Sequence, residues 1–360
     1  MVTHPRLRIP GSASPAPHPR PLGDLPHPPV SSLTMTDAAA PRTPSRGSLG
    51  AVAPQPLRVE PAEVDRNRLA VIVNPSAGHG RAMRMLDGVR VELARWARDV
   101  RVTPTRDLAH ADDLAAAATA QGRVVVALGG DGLAGSVAGG VARCGGVLAV
   151  LPGGRGNDFV RGLGLPRDPC RVAAGLAHAR ERRVDLPEVG GRPFLGIASV
   201  GYDSDVQVIA NRTRFLRGQQ VYTYAALRAL AAWRPARFTV TVDDLAPRDL
   251  VGWTVAAANS AYYGGGMRFA PGADIADGLL DVLLISRTSR LTFLALFPRV
   301  FSGRHVDTRH VRVLRARRVR IEADRPFAVY ADGDPLASLP AEIVVRPGAL
   351  RLLVPVIPAS

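Results

Sequence analysis

The residues best suited to chemistry sit in one turn, Gly129-Gly130-Asp131-Gly132. The apolar run Val124 to Leu128 precedes it and an Ala-, Gly- and Val-rich run follows. That order predicts a buried strand, a glycine turn and a helix. Such a unit suits phosphate, because missing Cβ atoms let oxygens approach the backbone and the first helical N–H groups point at the anion. Asp131 has two readings. It can serve a metal or a nucleophilic hydroxyl in phosphoryl transfer, or it can simply cap the helix. Two more turns are rich in Gly and Asn: Asn74-Pro75-Ser76-Ala77-Gly78-His79-Gly80, and Pro152 to Phe159.

Positioning these turns requires a layered framework. Residues 69–73, 100–102, 124–128 and 147–151 read as strands, and about 82–97 and 108–120 as helices. Strands alternating with helices at this spacing form a parallel α/β sheet. Three of the strands end in the Gly- or Asn-rich turns, at the carboxyl edge where open α/β sheets bind ligands. After Asp185 the pattern changes. Residues 194–200, 238–242, 253–259, 280–285, 311–314, 319–322 and 327–330 read as strands, interrupted by helices over 205–213, 219–234 and 289–302. The expected fold class is α/β plus β-rich. A parallel-sheet domain whose carboxyl edge suits phosphate spans 67–183, and a β-sandwich-like domain spans 184–360, with a substrate cleft at the junction near 180–190.

Residues 1–66 hold almost half of the 31 prolines. This composition cannot bury a core and predicts a disordered tail. Met35 offers a second start, so residues 1–34 need not be translated. Two cysteines, Cys144 and Cys170, exclude a disulfide scaffold and fit a reducing cytoplasm. No apolar run is long enough for a transmembrane helix. The net charge of +15 is carried almost wholly by Arg. It favours anionic surfaces such as phospholipid headgroups; with no nucleic-acid motif present, no nucleic-acid partner is expected. The basic run 309–320 reads first as a solvated strand face and second as a contact for anionic lipid. Residues 291–301 (LTFLALFPRVF) form a helix read first as core and second as interfacial.

Six motifs in one order, NPSAGHGRA (74–82), GGDG (129–132), PGGRGNDFVRGLGLP (152–166), FLGIASVGYDS (194–204), YYGGGMRFAPGADIADGLLDV (262–282) and DGDP (332–335), resemble the diacylglycerol kinase catalytic domain family, which includes sphingosine kinases and bacterial lipid kinases. The resemblance spans about 69–355. It implies an ATP- and Mg²⁺-dependent lipid kinase that works at a membrane surface as a peripheral cytoplasmic protein; a homodimer is left open. It implies nucleotide contacts from Asn74, Pro75, Ser76, Ala77, Gly78, Thr105, Gly129, Gly130, Asp131, Gly132, Arg155, Asn157 and Asp158. For Asn157 and Asp158 helix capping is expected as well. It further implies a structural Mg²⁺ held by the Asp277 carboxylate and by carbonyls of Asp274 and Leu279, against a plain Asp-Gly hairpin turn. Asp334 falls where the family carries a Glu, the general base that takes the proton from the lipid hydroxyl. The turn reading stays open there too.

Several positions depart from the family's pattern. Leu133 replaces a Thr, Gly135 and Ser136 replace an Asn and a Glu, and Arg155 replaces a second Thr. Arg155 can supply a guanidinium to a phosphate instead. The implied reaction is γ-phosphoryl transfer from ATP to a lipid hydroxyl, most simply diacylglycerol to phosphatidic acid. The alternative is a non-catalytic nucleotide- or lipid-binding regulator. NAD kinases and phosphofructokinases also carry GGDG, but the β-rich half argues for the lipid branch.

Overall fold

The computed structural model describes residues 60–213, 216 and 220–357. The expectations for a disordered tail and a second start at Met35 fall on residues 1–59, outside that set, apart from 60–66. The first strand begins at Asp65, four residues earlier than the apolar run suggests, because Asp65 and Arg68 still pair with Arg123 and Asp99.

The first half runs β1 (Asp65–Val73), α1 (Arg81–Ala94), β2 (Asp99–Pro104), α2 (Leu108–Ala120), β3 (Arg123–Gly129), α3 (Asp131–Arg143), β4 (Val147–Pro152), α4 (Asp158–Gly162) and α5 (Pro169–Gly175). These strands pair in parallel in the order β4-β3-β1-β2. Every residue of β3 and β4 is buried, as a strand covered on both faces must be. Ala111, Ala115, Val137 and Val141 of α2 and α3 cover one face. Ala82, Val89 and Leu93 of α1, with Val172 and Ala173 of α5, cover the other. The chain leaves β1 toward β2 on one side and returns to β3 on the other. The carboxyl ends of β1 and β3 are therefore a switch point, and the turns at 74–80 and 129–132 lie there.

The second half contains β5 (Arg180–Val189), β6 (Arg192–Pro193), β7 (Ile197–Gly201), α6 (Tyr202–Arg212), α7 (Gln220–Ala232), β8 (Ala236–Val242), β9 (Arg248–Ala258), β10 (Leu280–Ser286), α8 (Arg290–Ser302), β11 (Val311–Ala316), β12 (Arg318–Ala323), β13 (Ala328–Ala331), β14 (Asp334–Ser338) and β15 (Ala341–Val354). Trp253, Phe238 and Trp233 anchor its core. Its strands are antiparallel except at one place: Arg351 and Leu352 of β15 pair in parallel with Val147 and Leu148 of β4. The C-terminal strand thus crosses back to the first half, where Leu350 and Leu352 join its core. One continuous sheet links the two halves.

Asp185 on β5 locks that junction. It is 1 % exposed, and its carboxylate accepts N–H bonds from Gly278 and Gly348, each 2.7 Å long. Its own N–H donates to the Ile275 carbonyl. Asp185→Ala leaves two N–H groups without an acceptor, at about 1–3 kcal/mol for each buried donor. A urea midpoint lowered with unchanged slope checks this.

Candidate active site

Three glycine turns interlock at the carboxyl edge of the parallel sheet. Gly153 and Gly154 donate their N–H groups to the Gly129 carbonyl at 2.7 and 2.9 Å. A Cβ on Gly78 (φ +57°) would sit 2.7 Å from the Gly153 carbonyl oxygen. Asn74 holds its own turn: its Oδ1 accepts from the Ser76 N–H and hydroxyl, and its N–H donates to Leu128. Since the Gly153 and Gly154 donors are consumed, and the Ala77 N–H goes to the Asn74 carbonyl, the N–H groups left for an anion among the described residues are those of the first turn of α3 and of Gly78, His79 and Gly80.

Asn157 and Asp158 follow at the start of α4. Asn157 adopts the left-handed conformation (φ 53°), and its amide makes two bonds to Gly154, accepting at 2.8 Å and donating at 3.0 Å. It braces the loop rather than capping the helix. The cap comes from across the site: Asp131 Oδ1 accepts from the Phe159 N–H at 3.0 Å. Asp131 thus caps α4, leaving its second oxygen toward Asp158. A Cβ on Gly156 would lie 3.2 Å from both Asp131 Oδ2 and Asp158 Oδ2.

Burial raises both acids, and for Asp158 the neighbouring Asp131 charge adds to burial, bringing it to about 7. Asp158 Oδ2 accepts from the Gly265 N–H at 2.7 Å, tying the second half to the site, while Oδ1 is buried without a hydrogen bond. Arg161 Nε stands 3.8 Å from that Oδ1, and the two neighbouring carboxylates have the oxygen chemistry for a hard cation such as Mg²⁺. No group of three or more His, Cys, Asp or Glu forms a metal cage among the described residues, so such an ion would share its shell with nucleotide oxygens or water. A raised acid favours folding at low pH, and that contribution is lost as pH rises through its folded value. The ligand-free protein is therefore expected to melt lower at about pH 9 than at about pH 6, and Asp158→Asn, neutral throughout, flattens that slope in a thermal scan.

The second acidic turn closes over the first. Asp332 and Gly333 both have positive φ, 53° and 94°, making the tight two-residue connection between β13 and β14. The Asp332 carboxylate accepts from Leu195 and Gly196 N–H at 2.8 and 2.9 Å, and burial still pushes it up to about 8. It fixes the turn, a role the sequence reading did not assign. Asp334 then lies with Oδ2 against Gly132, where any Cβ would collide with it. Burial raises its pKa, and Arg192 pulls it back down. A cavity of about 400 Å³ opens beside it, walled by Gly132, Ser136, Arg192, Phe194, Asp332 and Asp334.

The remaining expected residues are placed less centrally. Thr105 is buried, and its hydroxyl donates to the Asp107 carbonyl at 2.7 Å. Arg155 is exposed, with no ion pair among the described residues. At the loop expected to hold a structural Mg²⁺, both acidic side chains have partners. The Asp277 carboxylate carries the Arg315 guanidinium and accepts from the Leu279 N–H. Asp274 accepts from the Ala276 N–H and faces Arg182 at 3.5 Å. Asp185 also fastens this loop, through the Gly278 N–H and the Ile275 carbonyl.

The sequence model of the diacylglycerol kinase catalytic domain matches residues 68–189, and that of the YegS C-terminal NAD kinase beta sandwich-like domain matches 196–354. A diacylglycerol kinase of Mycobacterium tuberculosis is 35% identical over 297 residues, covering 80% of this chain and 95% of that protein. A diacylglycerol kinase of Bacillus subtilis is 27% identical over 285 residues, covering 77% and 93%. The fold matches a crystal structure of a diacylglycerol kinase from Bacillus anthracis with a TM-score of 0.63 at 22% identity, covering 80% of this chain and 97% of that one.

Proposed function

The chain belongs to the diacylglycerol kinase catalytic domain family, and on that premise we propose that it is a lipid kinase, transferring the γ-phosphoryl group of ATP to the free hydroxyl of diacylglycerol to give phosphatidic acid. The observation that carries the reading is the Asp334 carboxylate set against Gly132 at the N-terminus of α3. There a proton acceptor meets the turn whose N–H groups suit a phosphate.

The 74–80 loop and the first turn of α3 take the phosphates, and the adjoining cavity of about 400 Å³ has room for the nucleoside. Arg155, exposed beside the loops, supplies the contact that a Thr hydroxyl makes elsewhere in the family. Mg²⁺ at Asp131 and Asp158 would neutralise phosphate charge during transfer. Asp131 also keeps α4 seated. Asp334 accepts the hydroxyl proton as the acceptor oxygen bonds to the γ-phosphorus and the bond to the β-phosphate oxygen breaks.

A cavity of about 70 Å³ lies behind Tyr263, between the sheet and the inner face of α8, lined by Phe269, Phe293, Leu296, Phe297 and Val300 among others. Initial rates with diacylglycerol, a sphingoid base and a polyprenol in mixed micelles test the choice of lipid. Diacylglycerol is expected to be fastest; a faster sphingoid base or polyprenol would replace it as the substrate.

A further inference from the structure

Helix α8 is out of place for a core element. Its sequence RLTFLALFPRVFS is mostly apolar and contains no acid, yet none of its residues is buried. One face covers the small apolar cavity just described. The opposite face presents Leu291, Leu294 and Phe301 at 80, 42 and 45% exposure, with Ala295 and Pro298 exposed between them. At 100° per residue these five fall on one stripe, with Arg290 along one border and Arg299 along the other.

The charge around the stripe has one sign. From Val282 to Ile321 the chain carries ten arginines and a single acid, Asp307. Arg287, Arg299, Arg304, Arg309 and Arg312 are exposed and have no ion pair among the described residues. Arg315 and Arg318 are spent on Asp277 and Asp244. The adjoining strand β11 is a sheet edge that, among the described residues, pairs only with β10, and it exposes Val313 beside Arg312. The basic run, read first as a solvated face, thus adjoins a helix whose inner face packs on the core through Phe293 and Val300 and whose apolar outer face the core does not claim.

We propose that the outer face of α8 is the docking surface of the protein for an anionic phospholipid bilayer. The apolar stripe enters the headgroup–acyl boundary, and the surrounding arginines meet the lipid phosphates. Net positive charge on every border repels a second copy of the same surface and disfavours a basic partner, while an anionic membrane satisfies both features at once. This surface does not depend on the kinase reading, since it involves no catalytic residue.

The test is co-sedimentation of the full chain, without nucleotide, with vesicles of phosphatidylcholine alone and of phosphatidylcholine with phosphatidylglycerol. Wild type is expected to sediment with the anionic vesicles and to be released by salt. The variant Leu291→Ser/Leu294→Ser/Phe301→Ser should lose binding by about tenfold or more, and Leu291→Ser alone, at the 80% exposed position, should weaken binding with an unchanged melting temperature. Arg299→Glu/Arg304→Glu should lose the preference for phosphatidylglycerol. The proposal is overturned if wild type does not sediment with anionic vesicles, or if the triple-Ser variant binds as wild type does. It is also overturned if that variant dissociates a dimer while vesicle binding stays intact. Stripe-dependent binding without lipid phosphorylation would refute the kinase reading alone. Phosphorylation of a water-dispersed lipid without vesicle binding would refute the docking surface alone.

Discussion

Asp334→Asn reduces phosphoryl transfer by about 10²- to 10⁴-fold, the usual contribution of a general base, while ATP still binds. The substitution is isosteric, and no hydrogen bond holding the turn runs through this side chain: Asp332 fixes the turn through Leu195 and Gly196, and Arg192 donates to the Pro335 carbonyl. Lost rate is then lost proton transfer rather than lost structure. Oδ2 of this carboxylate, at the position where the family carries a Glu, lies against Gly132 at the start of α3. Burial raises the Asp334 pKa, so wild-type rate should fall as pH drops through that raised value. The Asn variant should lack that acidic limb. Initial rates across pH, beside calorimetric titration with ATP, check both parts.

Gly154→Ala should separate the phosphate loops. A Cβ there would overlap Gly130 Cα and lie 3.0 Å from Gly130 N, and both are backbone atoms that cannot rotate away. The 153–157 and 129–132 turns must move apart, at about 1–3 kcal/mol of overpacking. ATP affinity should fall with stability, because the same spacing sets both. Gly162→Ala is the control. It lies in α4, and its nearest neighbour, Ser260 Cβ, would be 3.9 Å away. Calorimetry and urea denaturation should leave that control near wild type.

Much of this architecture is legible in the chain. The runs 124–128 and 147–151 are wholly apolar because both faces of a parallel sheet are covered, and the helix between them is small-residue-rich because it packs tightly on its neighbour. What escapes the sequence is mostly long-range. β15 is fourteen residues long but carries Pro347-Gly348 in its middle, which reads as a break. In the fold that dipeptide is a bulge between Arg346 and Leu350, stabilised by Asp185 from β5. β5 hides in the same way, as a charged stretch with Pro187 at what the sequence marks as the junction near 180–190. The site shows a similar split. The glycine turns and the positions of Asp131 and Asp334 can be found from their motifs. That Asp131 caps α4, that Asn157 braces Gly154, and that Gly265 reaches Asp158 are pairings between distant segments, and no local pattern encodes them. The Asp277–Arg315 pairing is of the same kind, joining residues thirty-eight apart in the chain.

The most direct test of the central claim offers the protein diacylglycerol and NAD together with ATP labelled in the γ-phosphate, then separates organic from aqueous products. The account predicts label in the organic phase as phosphatidic acid, present with wild type and absent with Asp334→Asn. Label in an aqueous phosphorylated nucleotide, or ATP binding with no labelled product on any lipid, would contradict it.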